Sequence, residues 1–243
     1  MFVGSRIGPF IRPGVALTVS SARTPPGPRP RFSRDELLDE ALDILAVDGP
    51  DGLSLRRLAS RVGVTARALY GYFSSKDVLE AAIVERVMPP PPPMDPQRPW
   101  HEQLRNYVLQ IHDAFAGQPG AARLFAARSA RSSAMDQVRE FLLNLLVGGG
   151  LGHSDAIAAL GTLSRYLMGC VVIEAERRAN AGPELNRFAL LSPEEFPVLG
   201  SFADEYATRN SQESTRYGLD LIVSALRRVA EEGGSSGAQA SDG

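Results

Sequence analysis

Between Gly52 and Lys76 the chain carries five cationic side chains, Arg56, Arg57, Arg61, Arg67 and Lys76, and no acidic one. The formal charge of the whole chain is only −2, so this is a local patch rather than a uniformly basic coat. A one-sided patch draws a polyanion to one face, and the phosphates of nucleic acid are the natural partner. An arginine borne on a helix can also present two donors at once to guanine O6 and N7, which suits Arg67 to base readout. Other chemistries find little support. Cys170 is the single cysteine, which excludes an intramolecular disulfide and a cysteine-rich zinc site and fits a reducing cytoplasm. The three histidines, His101, His112 and His153, show no metal-ligand spacing, and neither a G-x-S-x-G nor a phosphate loop is present. No catalytic residue, metal or cofactor is expected, and the chain reads as a non-enzyme.

The elements that would hold the cations in place are helical. Ser33 and Glu36 have the spacing of a capping box, followed by Leu37, Leu38, Ala41, Leu42 and Leu45 at helical spacing through Val47. Asp48-Gly49-Pro50-Asp51-Gly52 breaks that helix. Ser54 is the next N-cap, with Leu55, Leu58, Ala59 and Val62 on one face. Gly63 supplies a left-handed turn, and Thr65 caps a short helix over 65–71. Ser74 or Ser75 caps a fourth helix that runs to residue 88. Leu58-Ala59, Val62-Gly63-Val64 and Leu69 are the skeleton of a helix-turn-helix, whose second helix would enter a DNA major groove.

Five prolines, Pro89 to Pro93, then form a stiff spacer. Beyond it the pattern predicts helices over roughly 99–116, 119–130, 133–147, 154–180, 193–208 and 211–231. The resulting organisation is a disordered arm over 1–30, a DNA-binding domain over 31–88, a proline-rich linker over 89–99, a helical ligand-binding and dimerisation domain over 100–231, and a Gly/Ser/Ala tail over 232–243. Arg6, Arg12, Arg23, Arg29 and Arg31 of the arm could touch phosphate or simply be a solvated tail. No run of eighteen consecutive apolar residues occurs, and Pro9, Pro13 and Gly14 interrupt any secretory core, so no membrane association is expected.

Leu53-Ser54-Leu55-Arg56-Arg57-Leu58-Ala59, Gly63-Val64-Thr65 and Ala68-Leu69-Tyr70-Gly71-Tyr72-Phe73-Ser74-Ser75-Lys76 together resemble the DNA-binding domain of the tetracycline-repressor (TetR) family, over about residues 33–85. Lys76, the one lysine among 26 cationic residues, falls where that family carries a lysine. The resemblance implies that Tyr70, Tyr72 and Lys76 touch phosphates and that Arg56, Ala66, Arg67 and Ala68 face the bases. Ser54 and Thr65, the capping residues, complete the expected DNA-binding set. Tyr70 and Tyr72 could also be core aromatics, and Arg57 and Arg61 read more simply as solvated surface.

Pro99-Trp100 with Leu104-Arg105-Asn106, Tyr166 through Val171, and Tyr217 through Ile222 resemble, more weakly, the family's tetracycline-repressor type ligand-binding domain. In that family the corresponding helices line an inducer pocket, and the long and last helices form a four-helix dimer interface. Phe125, Arg128, Tyr107 and Ile173 stand where the tetracycline repressor holds its magnesium–drug complex, so neither tetracycline nor a metal is implied. A larger, mostly apolar ligand is expected instead, among Tyr107, Ile111, Phe125, Met135, Leu142, Tyr166 and Met168, with Arg128 or Arg165 meeting an acidic or carbonyl group. Leu160, Leu163, Leu167, Val171 and Glu174, and Gly218, Ile222, Ala225 and Val229, form stripes that suit either a partner interface or a core.

The expectation is therefore an all-α chain with an N-terminal three-helix helix-turn-helix DNA-binding domain and a C-terminal helical ligand-binding and dimerisation domain. It would be a repressor that binds a palindromic DNA operator as a homodimer and is released by a small-molecule inducer. An activator, or a regulator without an inducer, remains the alternative.

Overall fold

The computed structural model describes residues 32–128, 133–179, 192, 194–202, 204–205 and 211–239, and no strand occurs among the described residues. The expected arm over 1–30 lies outside them. The first helix, α1 (Arg34–Gly52), opens with the capping box the sequence predicts. Ser33 Oγ accepts from the Glu36 N–H at 3.1 Å, and the Ser33 N–H donates to Glu36 Oε2 at 2.7 Å. These bonds favour the ionised carboxyl and hold Glu36 below its usual range. The predicted break appears as a kink, with Gly49 at φ 68, ψ −174 just before Pro50, after which one more helical turn follows.

α2 (Leu55–Val62) is capped by Ser54 Oγ, which accepts from the Arg57 N–H at 3.1 Å. It ends at Gly63, whose φ of 68 and ψ of 38 are left-handed and cost an L side chain strain. The Val64 N–H reaches back to the Ala59 carbonyl at 3.0 Å, which closes the turn. α3 (Ala66–Leu69) is shorter than predicted, because the Tyr72 and Phe73 N–H groups both turn back to the Leu69 carbonyl at 2.9 Å. Thr65 precedes it without a side-chain cap bond, contrary to its expected capping role. α4 (Lys76–Val87) starts at Ser75, whose Oγ accepts from the Val78 N–H at 3.2 Å.

α5 (Trp100–Ala116), α6 (Pro119–Arg128), α7 (Ser133–Gly148), α8 (His153–Ala179), the short α9 (Pro197–Ser201) and α10 (Ser211–Gln239) follow. Of the predicted helix over 193–208, residues 194–202 and 204–205 are described, and among them only α9 and 204–205 are helical. The α10 backbone continues past Gly233, where composition predicts a tail, because glycine and serine weaken a helix without forbidding it.

Leu37, Leu38, Ala41, Ile44 and Leu45 of α1 are buried with Leu58, Leu69, Phe73 and Ile83. α6 packs on both α1 and α8 and so joins the two halves. The α1–α6 crossing is close. A Cβ on Gly120 would lie 2.5 Å from the Leu45 backbone, so the position admits only glycine without a backbone shift. On α8 the buried residues are Ala156, Ala159, Leu163, Leu167, Val171 and Ala175, a stripe at helical spacing facing its own chain. Leu163, Leu167 and Val171 are thus core, the second of the two readings open for that stripe. The opposite ridge, Ile157, Gly161, Arg165, Gly169 and Ile173 at four-residue spacing, faces outward, with Ile157 67% and Ile173 59% exposed. α8 is long and apolar enough, at mean hydropathy 1.7, to cross a membrane by length and composition alone. One such helix is weak evidence, and its inward stripe packs as a core helix does.

Candidate nucleic-acid interface and apolar cavity

The helix-turn-helix buries Leu53, Leu55, Leu58, Ala59, Leu69 and Phe73, which leaves the outer side of α2 and α3 to polar and small side chains. The five cations there differ in what already holds them. Arg57 is paired with Asp48 at 2.5 Å, and Arg61 reaches Glu40 at 3.0 Å and Asp43 at 3.8 Å on α1. Lys76 donates to the Pro50 carbonyl at 3.3 Å and lies 3.5 Å from the buried carboxylate of Glu80. Arg56 and Arg67 are exposed, with no ion pair among the described residues. Ala66 and Ala68 flank Arg67 on α3, and their small side chains keep the path to the guanidinium open. Thr65 is exposed, Tyr70 is 57% exposed and Tyr72 is half-buried, its ring 6.5 Å from that of Phe73. Ser54 is engaged as a backbone cap. α3 therefore presents Thr65, Ala66, Arg67, Ala68 and Tyr70 on one short protrusion beside Arg56 of α2, a surface able to contact bases and phosphates.

Within the C-terminal helices lies an apolar cavity of about 100 Å³. Five predicted ligand residues line it: Ile111 of α5, Phe125 of α6, Met135 and Leu142 of α7, and Met168 of α8. Sequence reasoning missed Met88, Val108, Val138, Arg139, Leu160, Leu163, Ser164 and Leu167. The available signal was helical spacing, since Met135, Val138, Arg139 and Leu142 recur at i, i+3, i+4 and i+7, as do Leu160, Leu163, Ser164 and Leu167.

Tyr107 does not line this cavity. Its hydroxyl donates to the Pro89 carbonyl at 2.9 Å, its ring meets Phe141 edge-on at 5.0 Å, and burial pushes its pKa up to about 12. Tyr166 turns away too, donating to the Thr215 carbonyl at 2.7 Å, and burial followed by a hydrogen bond with Cys170 raises its pKa. In both residues a polar tip found a backbone carbonyl remote in sequence. Arg165 lies on the outward ridge of α8, away from the cavity lining. The Arg128 side chain lies outside the described residues. The cationic lining residue is instead Arg139, whose Nη1 donates to Asp136 Oδ1 at 2.8 Å.

Fold and site define a class, a helix-turn-helix DNA-binding regulator with a helical C-terminal domain around a cavity. Residues 37–83 match the family of bacterial regulatory proteins of the tetR type, and residues 92–230 match the tetracyclin repressor-like C-terminal domain. The chain belongs to the tetracycline-repressor family. A helix-turn-helix-type transcriptional regulator of Saccharopolyspora erythraea is 28% identical over 148 residues, covering 60% of this chain and 63% of that relative, a little under two thirds of its length. A helix-turn-helix-type transcriptional repressor of Mycobacterium tuberculosis is 26% identical over 229 residues, covering 86% of this chain and 88% of the relative. Among solved structures, the Streptomyces coelicolor TetR-family protein ActR in complex with (S)-DNPA is 25% identical with a TM-score of 0.67, covering 80% of this chain and 96% of that one. The first two of these relatives are named as transcriptional regulators.

Proposed function

We propose that this protein is a cytoplasmic, ligand-responsive repressor that binds a palindromic DNA operator as a homodimer and is released when a small, mostly apolar molecule enters the C-terminal cavity. The observation that carries this reading is the position of Met88. It ends α4, the last helix of the DNA-binding half, and its side chain is one wall of a cavity otherwise made by α5, α6, α7 and α8. A ligand that displaces the Met88 side chain acts directly on the C-cap of α4. ActR, solved with a small molecule, supports a ligand for a chain of this fold.

Dimerisation is supported by the outward ridge of α8 and by exposed Tyr217 and Leu221 on α10, which together leave apolar surface uncovered. A two-fold pair sets the two α3 helices about one DNA turn apart, roughly 34–36 Å, and makes the operator a palindrome. Phosphate contacts are assigned to Tyr70, Tyr72 and Lys76, and base contacts to Arg56, Ala66, Arg67 and Ala68.

The small free volume favours a competing reading. Ligand pockets generally span about 300–1,000 Å³, and a gap of about 100 Å³ is also what imperfect packing leaves. A regulator without an inducer would have such a gap. Screening apolar aromatic compounds by thermal shift, then measuring DNA release by the hits, separates the two. The repressor reading expects hits that weaken DNA binding and that bind less tightly, by the same factor, when DNA is present. Stabilising hits that leave DNA affinity unchanged would support the reading without an inducer.

A further inference from the structure

We propose that Glu80, buried in α4, is a positioning residue that holds the Lys76 ammonium ready for a backbone phosphate of DNA. This rests on the assignment of Lys76 to a phosphate. Lys76 is the only lysine of the chain and stands at the first position of α4, immediately after the Ser75 cap. A cation is disfavoured there, because the N-terminus of a helix carries partial positive charge. Lysine four residues before glutamate is also the weaker order for an ion pair along a helix. Local helix energetics therefore do not account for the arrangement, and tertiary contacts do.

Two acceptors from different parts of the chain converge on Lys76 Nζ. The Pro50 carbonyl, just past the kink of α1, accepts at 3.3 Å, and Glu80 Oε1 lies at 3.5 Å. The Glu80 side chain is 3% exposed and that of Lys76 is 40% exposed. Glu80 has interactions beyond this pair, and Leu79, Ala82, Ile83 and Val84 of α4 are buried with it. The carboxylate is thus fixed by packing and does not simply follow the lysine. An ammonium has three protons. With Pro50 and Glu80 engaging two of them, the third is left for an acceptor on the exposed side. A free lysine side chain has much rotamer entropy to lose on binding, and one already held loses less.

Charge alone predicts the opposite sign for Glu80. A carboxylate 3.5 Å from a phosphate-binding ammonium repels DNA, so its neutralisation should tighten binding. If Glu80 positions Lys76, its neutralisation loosens the ammonium and weakens binding. Glu80 lies on the buried side of the pair, so an arriving phosphate meets the lysine first, and the ordering effect outweighs the repulsion.

The test uses the full chain, a duplex enriched from a random library and a scrambled duplex. Salt titrations compare wild type, Glu80→Gln, Lys76→Ala and the double variant. Glu80→Gln is expected to weaken binding to both duplexes by about three- to tenfold, within the rotamer cost of one lysine. Its salt slope should match wild type, because the Lys76 charge is kept. In the Lys76→Ala background, Glu80→Gln should no longer weaken binding. A merely structural role for Glu80 would weaken binding equally in both backgrounds, and that result would overturn the proposal, as would tighter binding by Glu80→Gln alone. Lys76→Ala with wild-type affinity and salt slope would instead remove the phosphate assignment, and the proposal with it. The single lysine also gives a readout that needs no variant. With lysine isotope-labelled at Nζ, the one side-chain ammonium should relax as an ordered group in DNA-free wild type and as a freely rotating one in Glu80→Gln. A wild-type ammonium as mobile as that of free lysine would contradict the proposal whether or not Glu80→Gln folds.

Discussion

Arg56 and Arg67 differ from Arg57, Arg61 and Lys76 in that the latter three already have partners within the chain. Arg67→Ala should leave the melting temperature unchanged and cost about 1–3 kcal/mol of operator affinity, concentrated at one base position in each half-site. Arg61→Ala should change DNA binding little, since its charge is spent on Glu40 and Asp43. Lys76→Ala should lower the salt slope of binding by about one, and should also lower stability, because Glu80 is buried beside it. Salt titrations with melts of the same variants check all three. Arg67→Ala and Lys76→Ala having the same salt slope would contradict the division between readout and positioning. Tyr107 makes a second prediction. Burial raises its pKa to about 12, so the folded state prefers the neutral phenol and the unfolded chain ionises first. The stability that this phenol contributes is whole below pH 10 and declines as pH rises from about 10 to about 12. Tyr107→Phe should cost about 1 kcal/mol at neutral pH and show a shallower loss between about pH 10 and about pH 12, measured by urea melts.

The α1–α6 crossing is one of the contacts that join the DNA-binding helices to the cavity helices, since α6 also packs on α8 and contributes Phe125 to the cavity. Gly120→Ala should place a methyl group against the Leu45 backbone and cost about 1–3 kcal/mol. A melt of that variant unchanged from wild type would show that the crossing is looser than described. How far these elements were legible in the sequence depended on the range of the interaction. The Ser33, Ser54 and Ser75 caps and the Gly63 turn are set by residues within a few positions, and spacing reveals them. The stripe Leu163, Leu167 and Val171 was visible as a stripe, but periodicity does not say which surface it meets, and it meets its own chain. The partners of Tyr107 and Tyr166 lie 18 and 49 residues away, and those of Arg57 and Arg61 on another helix. Only the folded chain brings such pairs together. Arg139 was missed although it lies on the α7 stripe, because spacing marks the stripe and not the surface that it faces.

The proposed DNA-binding form is a dimer, because a single short α3 offers too few contacts to select a site in a genome. The outward ridge of α8 sets the exposed Ile157 and Ile173 on either side of Gly161, Arg165 and Gly169, and its apolar ends are the surface proposed to meet a second copy. Ile173→Glu is expected to yield a monomer by light scattering at micromolar concentration while the fold by circular dichroism is retained, since the side chain is exposed. The most direct measurement of the central claim is the selection of bound duplexes from a random library by the full chain, with wild type and Arg67→Ala in parallel. The account predicts enrichment of one two-fold symmetric site by the wild type. For Arg67→Ala it predicts weaker enrichment, with base preference relaxed at one symmetric pair of positions. No enriched sequence, or an asymmetric site bound equally by both proteins, would contradict it.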